Sequence, residues 1–177
     1  MRLAPALVLS LLSVAASAQP GRTTVAPAAV APLAGMAEAY RPGPGVRASY
    51  RLGRADRRLG WRLGLEGAWF ADRPRRFGLP RGDGLSVGAT ASAEVRLRGG
   101  QVPAHAVVGL GAFHEQAGRH VPYAVVPEVH AGVGLAFPAG RVEVVPEVGV
   151  QVVLSDLLSG GEFTPSLRVP VTVGVRF

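Results

Sequence analysis

The sequence predicts an all-β fold: an eight-stranded antiparallel up-and-down barrel. Three observations carry this. From residue 45 onward apolar residues alternate with polar or small ones, the mark of strands with two different faces. Such segments recur about eight times in a chain of one-domain length. Their connections swing between short turns and longer loops, as in a meander whose ends lie on opposite rims.

The chain begins with an address. Met1-Arg2 is a short positive start, Leu3–Val14 is an apolar run, and Ala16-Ser17-Ala18 fits a small-x-small cleavage site. Residues 1–18 therefore read as a secretory signal peptide, and 19–29 as a Pro/Ala-rich linker. The barrel is expected over 30–177. The 177 residues contain no Cys, which excludes a disulfide scaffold and Cys-based metal or redox sites. All 19 basic residues are Arg, and the formal net charge is +7.

The strands follow in order, with boundaries read from the alternation. The first, 30–40, is the poorest, because Pro27 and Pro32 break its pattern. The second is 45–53. The third, 59–72, sets Trp61, Leu63, Leu65 and Trp69 on one face and Arg62, Gly64 and Glu66 on the other. The fourth, 84–98, sets Leu85, Val87, Ala89, Ala91, Ala93, Val95 and Leu97 against Ser86, Thr90, Ser92, Glu94 and Arg96. The fifth and sixth are 101–113 and 121–137. The seventh, 141–155, sets valines against Glu143, Glu147 and Gln151. The last, 165–177, sets Leu167, Val169, Val171, Val173, Val175 and Phe177 against Arg168, Thr172, Gly174 and Arg176. Arg54–Arg58, Gly99-Gly100 and Ala139-Gly140 are short turns; 73–83, 114–120 and 156–164 are longer loops.

Two closed architectures fit. In a lipocalin-like soluble barrel the apolar face lines a ligand cavity; in a membrane barrel it faces lipid. The polar face here is rich in Gly, Ser and Thr and sparse in charge, which suits a narrow interior filled by mixed sizes. The apolar face is nearly unbroken over the ~9–11 residues a tilted strand needs to cross hydrocarbon. Trp61 and Trp69 share that face eight residues apart, a rise of roughly 20 Å, close to the spacing of two aromatic girdles. An alternating last strand that closes on Phe177 resembles the sorting signal of Gram-negative outer-membrane barrels. With the signal peptide and the strand pattern over 30–177, the chain resembles the small eight-stranded outer-membrane β-barrel family. That resemblance implies insertion by the barrel-assembly machinery, with Phe177 as the signal it reads, and contact with outer-membrane lipid and lipopolysaccharide.

Prolines run against the pattern. Pro103, Pro122, Pro127, Pro146, Pro165 and Pro170 lie in or beside strands, and each lacks a ladder donor. Local bulges are expected at Pro127 and Pro146.

The inward face is expected to carry a charge network: Arg47, Arg51, Arg62, Glu66, Glu94, Arg96, Arg98, His105, Glu128, His130, Glu143, Glu147, Gln151, Arg168 and Arg176. A Gly99-Gly100 turn would set Glu94 opposite His105, and an Ala139-Gly140 turn would set Glu128 opposite Gln151. Paired Glu, Arg and His that satisfy one another and close the lumen are the favoured reading; a proton relay or polar pore is the other. Glu128-Val129-His130 hints at a hydrolase, but no Ser lies on that strand and no Ser-His-carboxylate set emerges at matching heights, so no enzyme is expected. His114 and His120 lack a third ligand, and no metal or other cofactor is implied. Arg73, Arg75, Arg76 and Arg81 crowd one loop. Export argues against nucleic acid as their partner; if the loop is external, they either meet lipopolysaccharide phosphates, which suit Arg forks, or stay solvated. Arg81-Gly82-Asp83 reads as a chance tripeptide.

Overall fold

The computed structural model describes residues 22–34, 37, 40–53, 57–72, 82–97, 102–117, 124–154 and 165–177. The strands are β1 (Thr23–Ala34), β2 (Gly43–Leu52), β3 (Leu59–Phe70), β4 (Gly84–Leu97), β5 (Ala104–Ala117), β6 (Ala124–Leu135), β7 (Phe137–Ala139), β8 (Val142–Val153) and β9 (Ser166–Arg176). Every neighbouring pair is antiparallel, and β9 returns to pair with β1, so the sheet closes. β6 and β7 both pair with β8 in one continuous register. They are two halves of one stave interrupted at Ala136, and the barrel is eight-stranded.

The prolines account for that interruption. Pro146 and Val145 stand where Leu135 and Ala136 would seek partners, and Pro146 has no N–H to give. The ladder lapses there without a slip. Pro127 likewise keeps the β5–β6 register, facing Ala112, and its carbonyl accepts from Leu154 N at 2.9 Å. The bulges expected at Pro127 and Pro146 are therefore ladder gaps or regular pairs. The register shift falls instead between Pro32 and Ala34.

β1 corrects the expected boundaries. Residues 23–29, assigned to the linker 19–29, are strand, and the strand ends at Ala34 rather than 40. Ala26, Val30 and Pro32 are buried in alternation while Pro27, Ala29 and Leu33 are exposed. Both faces are apolar or small, so the segment shows no contrast of polarity to read. Proline's φ also fits extended backbone. Against β9 the pairing runs at Thr24 and Val25 and resumes at Ala28, skipping Pro27.

Two registers also differ from expectation. Leu97 pairs with Ala104, so Arg96 faces His105 and Glu94 faces Val107; Pro103, which cannot donate, lies just outside this ladder. Between β7 and β8 the central turn residues are Gly140 and Arg141, with φ +67° at Gly140 alone. A positive φ at the first central position is the type II′ pattern and requires Gly there. The register therefore moves by two residues: Glu128 faces Val153 and His130 faces Gln151. A shift of two preserves which face each side chain takes.

The faces fall as the alternation predicts. Trp61 is 60% exposed, Leu65 58% and Leu110 65%, whereas Arg51, Glu94 and Glu128 are at most 3% exposed. The large apolar side chains point out and the charges point in, the inverse of a lipocalin-like barrel.

Candidate functional site

The lumen is the chemically distinctive region, and strand parity builds it. Even-numbered residues of β3, β4, β6 and β9 and odd-numbered residues of β2, β5 and β8 face inward. Arg47, Arg51, Arg62, Arg96, Arg168 and Arg176 thereby share the lumen with as many glutamates: Glu66, Glu94, Glu115, Glu128, Glu143 and Glu147. The inward charges of the described residues are balanced, so their burial does not leave a large net field.

Arg62 is the hub. Its Nη2 lies 2.6 Å from Glu94 Oε2, and its Nη1 lies 2.7 Å from Glu147 Oε2. Glu94 also takes Arg51 Nε at 3.0 Å, with Arg96 and Arg176 further out at 3.8 and 3.9 Å. Glu147 also takes Arg47 Nη1 at 2.6 Å and His105 Nε2 at 3.0 Å. Arg47 continues the chain to Glu66 at 2.7 Å, and Gln151 donates to Glu66 at 2.8 Å. Charge-assisted bonds of this kind satisfy carboxylates that would otherwise be stranded away from water. Glycines make room for the long side chains. A Cβ at Gly60 would lie 2.7 Å from Arg51 Nη2, and one at Gly134 would lie 2.6 Å from His105 Cε1.

A second tier closes the end opposite the termini. Arg168 pairs with Glu115, donates to Ser86 at 3.0 Å and stacks 5.4 Å from the Phe70 ring centroid. Phe70, Val30 and Tyr40 form one buried apolar cluster there, and Phe113, Val126 and Val153 form another. Tyr40, in the connection after β1, has its hydroxyl pKa raised by burial and then by the negative charges of Asp72, Glu115 and Asp83. Two luminal cavities, of about 10 and 20 Å³, are each near the size of one water molecule.

One cluster overturns an expectation. Ser92 Oγ lies 2.7 Å from His130 Nε2, and His130 Nδ1 lies 3.2 Å from Glu128 Oε1. A Ser-His-carboxylate set therefore does exist. Ser92 on β4 faces Gly109 on β5, which faces His130 on β6. Gly109 has no side chain to keep them apart: a Cβ there would lie 2.7 Å from His130 Nε2. Inspecting one strand and its directly opposed residues misses a contact that spans three strands. The set does not have working geometry. Neither Glu128 oxygen nor His130 Nδ1 makes an aligned hydrogen bond, and Ser92 is 3% exposed. A nucleophile needs an oriented base and room for a reacting carbonyl. An active-site-directed fluorophosphonate should leave Ser92 of the folded barrel unlabelled, read by mass spectrometry. Stoichiometric labelling abolished by Ser92→Ala would establish a reactive serine instead.

At the end holding the termini, Phe177 N donates to Thr23 O and Phe177 O accepts from Arg22 N, both at 2.9 Å. The Phe177 side chain is 37% exposed. Arg73, Arg75, Arg76, Arg81 and Arg98, with His120, lie outside the described residues. No group of three or more metal-ligating side chains is found among the described residues.

No protein-family model matches the chain, and no curated protein matches it. Solved structures do. The chain is similar to the outer membrane enzyme PagL, with a TM-score of 0.60 and 13% identity over 87% of this chain and 99% of that one. It is similar to Neisserial surface protein A, with a TM-score of 0.58 and 13% identity over 87% and 94%. It is also similar to Ail, the attachment invasion locus protein of Yersinia pestis, in complex with the heparin analogue sucrose octasulfate, with a TM-score of 0.52 and 15% identity over 88% and 97%. The fold is that of the small eight-stranded outer-membrane barrels.

Proposed function

We propose that the chain is a non-enzymatic barrel of the Gram-negative outer membrane, with an envelope-structural or surface-interaction role and a lumen closed by its own side chains. One observation carries this reading: the polarity of the barrel is inverted. A belt that includes Trp61, Leu63, Leu65, Trp69, Val108, Leu110, Val133, Val148 and Val173 is exposed, while the arginines and glutamates are buried. Such a surface is stable against lipid tails and would drive aggregation in water. The Arg62 hub and the apolar clusters above it fill the interior, which supports closure over conduction. Against an enzyme stand the burial of Ser92 and the misaligned Glu128, although one protein of this fold is an enzyme.

Phe177, on the outward side of the last strand, is the element the barrel-assembly machinery would read. Arg73, Arg75, Arg76 and Arg81, in the connection between β3 and β4 at the end opposite the termini, would meet lipopolysaccharide phosphates outside the cell. The complex of Ail with a sulfated sugar shows a protein of this fold with an anionic ligand.

The test is gel mobility of the protein from purified outer membranes, with and without boiling in SDS. A folded form that resists SDS and shifts on heating is expected, and deleting Phe177 should lower its yield in that fraction. Recovery as a soluble periplasmic protein with no heat shift would overturn the reading.

A further inference from the structure

One set of arginines outside the lumen lies at a single rim. At the end that holds both termini, Arg57, Arg58 and Arg141 are exposed and Arg22 is half-buried. Arg57 and Arg58 precede β3, Arg141 completes the Gly140–Arg141 turn, and Arg22 precedes β1. They thus occupy separate stations around the circumference rather than one patch. No ion pair among the described residues engages these four side chains, and Glu143 at the same rim is held by Arg176 at 3.1 Å. Among the described residues, then, this charge has no carboxylate partner, unlike that of the lumen.

The outward apolar belt begins immediately above. Leu59 is two residues from Arg57, Trp61 follows on the same face, and Leu52, Phe137 and Phe177 are exposed at the same end. A guanidinium one or two residues beyond a lipid-facing belt reaches the depth of the headgroups while its stem lies along the apolar boundary. There its planar fork fits a phosphate, and each such charge near an anionic surface contributes about 1 kcal/mol.

We propose that this arginine rim binds the phosphates of anionic phospholipids in the periplasmic leaflet. A globular partner would need a contiguous patch; arginines spread along the rim from the β7–β8 turn past β1 to the start of β3 suit the annulus of lipids around a barrel. The inference rests on the outer-membrane reading above, which makes the end with the termini and short turns periplasmic.

The experiment refolds the full mature chain into bilayers of phosphatidylcholine mixed with phosphatidylglycerol and identifies the lipids it retains by native mass spectrometry. Phosphatidylglycerol should be enriched over phosphatidylcholine. The triple variant Arg57→Gln, Arg58→Gln, Arg141→Gln should lose at least about fivefold of that enrichment. Salt near 1 M, where the screening length is about 3 Å, should remove it from the parent chain. Equal retention of the two lipids, or undiminished enrichment in the variant, overturns the proposal. So does competition by millimolar inorganic phosphate, which would mark a site for free anions rather than lipid. The heat shift on SDS gels is read on every sample. Failure of the parent chain to become heat-modifiable in either bilayer strikes the outer-membrane reading itself. A heat-modifiable barrel without lipid preference overturns only the rim.

Discussion

Leu65→Arg is expected to destabilise the folded barrel in lipid by about 2–4 kcal/mol, the cost of a guanidinium on the lipid face near the bilayer midplane. Leu65 is 58% exposed and lies midway along β3 between Trp61 and Trp69, the two exposed tryptophans of the belt. Leu59→Arg makes the same chemical change at the rim, where Leu59 is 56% exposed. There the arginine reaches the headgroups, and the cost falls to about 0–1 kcal/mol. Reversible urea unfolding in vesicles measures both. The ratio between them matters more than either value. A water-exposed sheet would accept both substitutions alike, so equal small effects would refute a membrane-facing belt.

Arg62→Met has the second-largest expected effect and acts from the other face. Removing one partner of a buried ion pair costs about 3–5 kcal/mol, because the remaining charge is left in a low-dielectric interior. Arg62 serves two carboxylates, but each keeps another cation: Glu94 retains Arg51 at 3.0 Å and Glu147 retains Arg47 at 2.6 Å. The loss should therefore lie at the low end, about 3 kcal/mol. Arg62→Lys should fall between parent and Met, since one ammonium cannot span both carboxylates as a planar fork does. Arg96→Met is the contrast: its side chain is 31% exposed, so water screens its charge and about 0–1 kcal/mol is expected. A cost below about 1 kcal/mol for Arg62→Met would mean that the ion pairs do not hold the lumen together.

The two effects together describe how this chain spends its apolar and charged residues. Among the described residues its core in the usual sense is small: two clusters of three buried residues, around Phe70 and Phe113. The interior is otherwise held by ion pairs and filled between them by glycine. The apolar residues that would form the core of a soluble protein are on the outside. A narrow eight-stranded barrel makes this workable, because side chains from opposite walls meet across the lumen. The Arg47–Glu147 and Arg62–Glu147 pairs join β2 and β3 to β8 in this way.

The sequence by itself determined the strand count, the faces and much of the luminal set; it missed Glu115, because 114–120 read as a loop whereas β5 runs on to Ala117. Period two is a local property, so the assignment of Trp61 and Leu65 outward and of Arg62 and Glu94 inward needs no knowledge of neighbouring strands. β1 was illegible for the same reason: with Ala and Pro on both faces there was no contrast to read. Only the tertiary structure decided which charges meet. Partners depend on register, and register was set by features that alternation does not encode, such as Gly140 at the first turn position. The meeting of Ser92 with His130 depended further on a glycine in the strand between them. Contacts across the lumen, such as Arg62 with Glu147, depend on closure of the whole barrel, because they join staves that are not neighbours in the sheet.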